Sequence, residues 1–304
     1  MYINEKTPIE SIQDSFLAQN EISLFVKRED LNHPHMSGNK WYKLKYNIEE
    51  AKKLGHNTLL TFGGAYSNHI YAVAAAGKVF NLKTIGIIRG EEHLPLNPTL
   101  SFAKGQGMEI HYLNRTLYRN KNSTELIDYL KQKFGKFYLL PEGGTNTLAV
   151  KGCSEIIDNL NVEFDYVCCP CGTGGTLTGL IDGLDGKSFA LGFAVLKGAD
   201  FLRENVNLLL KSVNKASLSN WDIKLDYHFG GYAKFNNQLL EFIEKFSSTT
   251  KIPVEPIYIG KMFFGIYDLV QRGYFKKCSK IIAIHTGGLQ GLRGLASKIK
   301  SIKM

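Results

Sequence analysis

Tryptophan, proline and cysteine are all scarce in this 304-residue chain, with two, eight and five copies respectively. So few prolines leave no Pro-rich linker, and no internal repeat or low-complexity tract stands in for one, so any second domain must be an insertion without a flexible tether. The odd count of five cysteines in a chain this long suits a reducing compartment better than a disulfide framework. No window approaches 18 uninterrupted apolar residues, which excludes a transmembrane helix and argues against a membrane partner. Met1 to Phe16 lacks an apolar core and carries Glu5, Glu10 and Asp14, so it does not read as a signal peptide; the expected location is the cytoplasm. Acidic residues fall short as well: 28 Asp and Glu against 37 Lys and Arg leave a net charge of +9. The positive residues are spread along the chain, densest at Lys131 to Lys136 and Lys276 to Lys280, and no nucleic-acid module accompanies them. A basic surface with anionic small-molecule ligands explains the balance as well, and no nucleic-acid partner is expected.

What is present is a core. With 44% hydrophobic and 21% charged residues the chain is neither disordered nor fibrous. Short apolar runs alternate with helix-spaced segments, the mark of βα units around a parallel sheet. Strands are expected at Ile22 to Lys27, Thr58 to Phe62, Thr84 to Ile88, Glu109 to Leu113, Lys136 to Leu140, Asp165 to Cys169, Phe189 to Val195, Lys224 to Tyr227 and Lys280 to His285. Helices are expected at Asn39 to Leu54, after Ser67 and Asn68, near Leu100 to Gly105, and at Thr124 to Phe134, Leu148 to Leu160, Thr176 to Leu184, Leu239 to Phe246 and Met262 to Gln271.

Four junctions between these elements carry residues able to do chemistry. Lys40, in Ser37-Gly38-Asn39-Lys40, stands in the first turn of a helix, whose partial positive charge favours a neutral, nucleophilic amine over an ammonium. Alone it reads as a surface lysine. Gly172, Thr173, Gly174, Gly175 and Thr176 follow an apolar strand and open a helix, so their backbone N–H groups and hydroxyls suit a phosphate. The run is neither a Walker loop nor a full dinucleotide fingerprint. Gly63 to His69 holds Ser67 and Asn68 at a helix start, donors to a carboxylate or phenolate or plain N-caps, with His69 packed or exposed. His285-Thr286-Gly287-Gly288 ends the last strand. Cys168, Cys169 and Cys171 alternate in direction and lack a matching Cys or His pair, which reads as buried thiols and not as a metal centre. A helix-start lysine, an anion loop and a Ser-Asn helix start together make the parts of a pyridoxal phosphate enzyme on an α/β scaffold.

The chain also resembles a known family. Lys27 to Leu31 (K-R-E-D-L), Ser37 to Leu44 (S-G-N-K-W-Y-K-L), Gly63 to His69 (G-G-A-Y-S-N-H), Gly172 to Thr176 (G-T-G-G-T), Tyr258 before Gly260-Lys261, and His285 to Gly288 (H-T-G-G) look like the 1-aminocyclopropane-1-carboxylate deaminase and D-cysteine desulfhydrase family. The resemblance covers nearly the whole chain. It implies a tryptophan synthase β-like, fold type II architecture of two parallel-type open sheets, with a small domain of residues 46–149 inserted in a large one of residues 1–45 and 150–304. It further implies pyridoxal 5'-phosphate carried on Lys40, which also shuttles the substrate proton. Lys43 and Gly172 to Thr176 would hold the phosphate, Asn68 the phenolic oxygen, and Thr286 the pyridine nitrogen. Ser67, Asn68, His69, Tyr232 and Tyr258 would face a small amino-acid substrate, with Ser67 as carboxylate donor, second base or nucleophile, and the chain would form a homodimer as its relatives do. Deaminases of the family carry Glu after the tyrosine, where this chain has Ile259, and many relatives carry Arg where Tyr71 stands. The expected reaction is therefore β-elimination from D-cysteine to pyruvate, sulfide and ammonia. Deamination of aminocyclopropane carboxylate to 2-oxobutyrate is the alternative within the family, and a non-catalytic protein binding a phosphorylated ligand the alternative outside it.

Overall fold

A computed structural model describes residues 3–295 and 299. The strands are β1 (Ile9–Ser11), β2 (Ser23–Lys27), β3 (Thr58–Gly63), β4 (Lys83–Arg89), β5 (Glu109–Leu113), β6 (Tyr138–Leu140), β7 (Tyr166–Cys171), β8 (Phe189–Ala194), β9 (Trp221–Lys224) and β10 (Lys280–Ile284). The helices are α1 (Ser15–Gln19), α2 (Asn39–Lys53), α3 (Asn68–Phe80), α4 (Pro98–Gly105), α5 (Arg115–Arg119), α6 (Thr124–Phe134), α7 (Thr147–Asp158), α8 (Gly175–Leu184), α9 (Phe201–Ser212), α10 (Asn237–Thr250) and α11 (Ile259–Gln271). Six strands form one sheet in the order β1-β2-β10-β7-β8-β9, parallel except for the antiparallel edge pair β1 and β2. The other four form a wholly parallel sheet, β5-β4-β3-β6.

The second sheet takes all its strands from residues 58–140, and the first draws on both sides of that segment. The boundary expected between residues 45 and 46 falls inside α2, which continues unbroken to Lys53. The strand expected at Lys224 to Tyr227 lies earlier: β9, Trp221–Lys224, pairs with β8, and Leu225 to Tyr227 leave the sheet. Trp221 packs against the core at Ile223 and Ala190, and this anchoring outweighs the β-propensity of the residues that follow.

The inner strands of both sheets are buried on each face and are near-continuous apolar runs, while the outer strands β1, β5 and β9 are partly exposed. In β10, for example, Ile281, Ile282, Ala283 and Ile284 are all fully buried. Each such large aliphatic side chain contributes about 1.5–3 kcal/mol through removal from water. Close approach does the rest. A Cβ on Gly152 of α7 would lie 1.8 Å from the Tyr42 carbonyl oxygen of α2, and one on Gly179 of α8 would lie 2.3 Å from Cys153 Cβ of α7. These glycines seat α7 between its neighbours and fix α2, which carries Lys40. In parallel sheets ligands gather beyond the carboxyl ends of strands. Here those ends, at Gly63, Arg89, Leu140, Cys171 and Ile284, all lead into segments that line one cavity of about 780 Å³.

Candidate active site

The start of α2 is set by buried polar groups upstream. Asn32 donates to the Gly38 carbonyl at 2.9 Å and accepts from the Gly38 N–H at 3.0 Å, while Glu29 accepts from Asn32 and from Thr7. Gly38 has φ +67°, and a Cβ there would sit 1.9 Å from the Thr286 carbonyl oxygen. Only glycine brings the lysine loop this close to the strand end that carries Thr286. The K-R-E-D-L segment is thus the bracket of the loop. Arg28 pairs with Asp30 and Glu10, and Asp30 lies 3.6 Å from His285.

Lys40 projects into the cavity and donates to Asn39 Oδ1 at 2.9 Å. Burial, and then the nearby Lys43 ammonium, bring its pKa down to about 7. The sequence points to a neutral amine through the helix terminus; desolvation and a like charge are what produce it. Asn39 in turn donates to Thr176 Oγ1 at 2.7 Å, tying Lys40 to the start of α8. Lys43 donates to the Gly143 carbonyl at 3.0 Å and to Thr145 Oγ1 at 3.1 Å, and Thr145 meets Thr173 Oγ1 at 2.6 Å. Gly174, the N-cap of α8, has φ +85° and no side chain caps that terminus. Its first N–H groups are therefore available to an anion, backed by Lys43.

On the opposite wall Ser67 caps α3, accepting from the His69 and Ile70 N–H groups, so its own hydroxyl proton is free to be donated. Gln290 donates to Asn68 Oδ1 at 2.9 Å, which turns the Asn68 amide N–H groups toward other acceptors. His69 is buried. Thr61 gives its one hydroxyl proton to the Leu140 carbonyl, so it must accept from His69 Nε2 at 3.0 Å, and Nδ1 is left as a bare acceptor without a partner among the described residues. Burial, Lys40 and Lys43 keep this imidazole neutral by holding its pKa well below the usual value. Tyr258 and Tyr232 meet edge to face at 6.0 Å, and burial with the Tyr232 contact pushes the Tyr258 phenol well up, so it keeps its proton.

Every expected site residue lines this cavity except Gly175, which packs against Thr145: a Cβ there would meet Thr145 Cγ2 at 2.8 Å. Ile259 does not line it; the side chain is fully buried in the core around α11. Glu255, one turn before Tyr258, is also turned inward and accepts from the N–H groups of Ile257, Tyr258 and Ile259. Tyr71 is away from the cavity, stacked on Phe102 at 3.8 Å with its hydroxyl 3.2 Å from His35. Cys153, Cys168, Cys169 and Cys171 are free and buried, and among the described residues no cluster of metal-ligating side chains occurs. Sequence reasoning missed Asn39, Thr145, Arg89, Tyr118, Lys121 and Glu142. Asn39 sits inside the Ser37-to-Lys40 motif; the other five lie outside every junction the sequence singles out.

Residues 2–287 match the family described as pyridoxal-phosphate dependent enzyme. The mitochondrial bifunctional D-cysteine desulfhydrase/1-aminocyclopropane-1-carboxylate deaminase of Arabidopsis thaliana is 31% identical over 310 residues, covering 93% of this chain and 76% of its own. Among solved structures, a crystal structure described as an ACC deaminase homologue superposes with TM-score 0.86 at 27% identity, over 99% of this chain and 95% of that one. A hydrogen sulfide-producing enzyme from Fusobacterium nucleatum shares the fold, with TM-score 0.68 at 19% identity over 94% and 96% of the two chains. The architecture is the tryptophan synthase β-like, fold type II one. The pocket fits pyridoxal phosphate: a buried amine titrating near neutrality, an uncapped helix start beside a buried lysine, and an amide and hydroxyl at the far walls.

Proposed function

Since the chain belongs to the pyridoxal-phosphate dependent enzymes, in the group of 1-aminocyclopropane-1-carboxylate deaminases and D-cysteine desulfhydrases, we propose that it is a β-elimination lyase of the desulfhydrase type, converting D-cysteine to pyruvate, sulfide and ammonia. One observation carries this reading. Glu142 is the one carboxylate on the cavity wall among the described residues, and it is engaged by Tyr118 and Lys121. Opening a cyclopropane that has no α-hydrogen asks for a strong electron sink, which a carboxylate at the pyridine nitrogen supplies. Thr286 offers only a hydroxyl, and Ile259 and Glu255 face the core.

When bound, pyridoxal phosphate supplies the aldehyde that captures an amino group and the ring that takes up the electron pair of Cα. The protein does the rest. Lys43 and the α8 terminus bind the phosphate, Asn68 the phenolic oxygen and Ser67 the substrate carboxylate. Lys40 Nζ, poised near neutrality by burial, takes the Cα proton. Sulfur leaves with the electron pair of the Cβ–S bond, and Tyr258, still protonated, stands ready to donate to it. The released enamine hydrolyses in water to pyruvate and ammonia. Assaying D-cysteine, L-cysteine, D-serine and aminocyclopropane carboxylate side by side tests the reading: sulfide and pyruvate should form from D-cysteine. Aminocyclopropane carboxylate consumed as fast as D-cysteine, or faster, would overturn it and favour the deaminase.

A further inference from the structure

Arg89 ends β4 at the cavity wall, and among the described residues no carboxylate lies within ion-pair distance of it. Its guanidinium rests on the Tyr118 ring, 5.8 Å from the centroid, and a Cβ on Gly64 would come within 3.7 Å of Nη2. Gly64 is three residues from Ser67, so the charge stands beside the loop expected to take the substrate carboxylate. Lys121 lies 5.4 Å from the centre of the same Tyr118 ring. Glu142 is committed twice, accepting from the Tyr118 hydroxyl at 2.9 Å and pairing with Lys121 at 3.2 Å. The arrangement sets two cations about one aromatic ring, with a single carboxylate taken up by Lys121 and the Tyr118 hydroxyl, leaving a net positive charge in the cleft. Across the cleft Tyr232 feels both Arg89 and Glu142. A zwitterionic amino acid with a neutral side chain places its carboxylate at Ser67 and gives this charge nothing further to bind.

We propose that Arg89, with Lys121 behind it, forms a second anion subsite that selects amino acids whose β-substituent is itself a tetrahedral oxyanion, a sulfonate or a phosphate ester. A guanidinium fork matches such oxygens in two places, as an ammonium does not. The inference rests on the lyase reading. In the elimination the Cα–H bond breaks with its proton passing to Lys40, and the Cβ–X bond breaks with its pair leaving on X, as sulfite or phosphate. The charge near Arg89 stabilises a leaving group that departs as an anion.

Binding separates this from the chemistry. The holoenzyme and the apoprotein are titrated with 2-amino-3-phosphonopropionate, which carries the oxyanion but no leaving group, and with 2-aminobutyrate of the same backbone. The phosphono compound should bind about tenfold tighter or more, by calorimetry in both forms, and Arg89→Gln should erase that advantage while Arg89→Lys keeps part of it. In turnover, the ratio of kcat/KM for cysteate or O-phosphoserine to that for cysteine, each tried as both enantiomers, should fall about tenfold in Arg89→Gln. Equal affinity for the two ligands, or a preference that survives Arg89→Gln, would overturn the subsite. A holoenzyme without visible cofactor absorbance, or one turning over no amino acid, would instead sink the lyase reading and leave the calorimetric comparison to judge Arg89 alone.

Discussion

The two walls of the cleft are built on different terms. On the large-sheet side Lys40, Lys43, Thr176 and Thr286 are buried or nearly so, each fixed by short hydrogen bonds or by a glycine that leaves no alternative. On the small-sheet side Arg89 is exposed, Lys121 and Glu142 are partly exposed, and the three gather about an aromatic ring. Rigidity of the first kind suits a ligand that never changes, and long charged side chains on a ring suit discrimination among ligands that do. If that division holds, changes on the first wall destroy function outright, and changes on the second alter which substrate is used.

Lys40→Met breaks the comparison most severely. Turnover should drop about a thousandfold or more, since both cofactor capture and the proton transfer are lost, and borohydride reduction followed by peptide mapping should no longer label this helix. Finding the label on Lys43, Lys45 or Lys261 in the unaltered protein would displace Lys40 from its role. The apoprotein offers an independent readout. The folded pKa of about 7 lies below the unfolded 10.5, so the unfolded chain binds the extra proton between those values and stability rises with pH across that window. Lys40→Met removes that penalty. The variant apoprotein should be the more stable by on the order of 1–3 kcal/mol below pH 7, with the gain vanishing toward pH 10.5 in denaturant unfolding.

Gly174→Val tests the phosphate cradle. A valine must adopt φ +85° and place its Cβ 3.1 Å from Val206 Cγ2, which turns the first N–H groups of α8 away from the cavity. Losing one or two charge-assisted hydrogen bonds, at roughly 1.5–3 kcal/mol each, should weaken cofactor affinity about tenfold or more. Unchanged affinity in a folded variant would remove the loop from the cofactor site. Lys43→Met should follow with a smaller loss and a spectroscopic sign of its own. Without the neighbouring ammonium the Lys40 amine should titrate higher, seen as a shift to higher pH of the rate at which the apoprotein captures pyridoxal phosphate.

The two walls were unequally legible in the sequence. Glycine-rich strand ends, a lysine at a helix start and a Ser-Asn cap are local patterns with local causes, and β5 and α6 run over the residues the periodicity predicts. The short elements escaped: β1 has three residues, and α1 and α5 five each, too few for a period to show. α9 escaped although it has twelve residues. Propensity places the edge strand at Lys224 to Tyr227 because it does not register Trp221, which packs on the core and anchors the strand at Trp221–Lys224. His69 could not be assigned to core or surface, since its partner Thr61 lies on the preceding strand. Arg89, the Tyr118–Lys121 turn and Glu142 come from three separate segments, and only the fold brings them together. Specificity is hard to read from a sequence for the same reason: its residues share a place and no motif.

The smallest expected effect sharpens the comparison from the second wall. Tyr118→Phe keeps the ring under Arg89 and Lys121 and removes only the hydroxyl that donates to Glu142 at 2.9 Å. The hydroxyl sits on a buried side chain whose proton is held firmly, because burial and the Glu142 carboxylate both push the phenol pKa up. Losing one such bond to a charged, half-exposed partner should cost about 1 kcal/mol. Glu142, released on one side, is then free to swing toward Arg89 and neutralise it. Preference for an anionic β-substituent should therefore fall a few-fold, with cofactor affinity holding, in parallel titrations with pyridoxal phosphate and 2-amino-3-phosphonopropionate. A loss of cofactor affinity as large as that of Gly174→Val would show that the two walls act as one unit and that the division drawn between them is wrong.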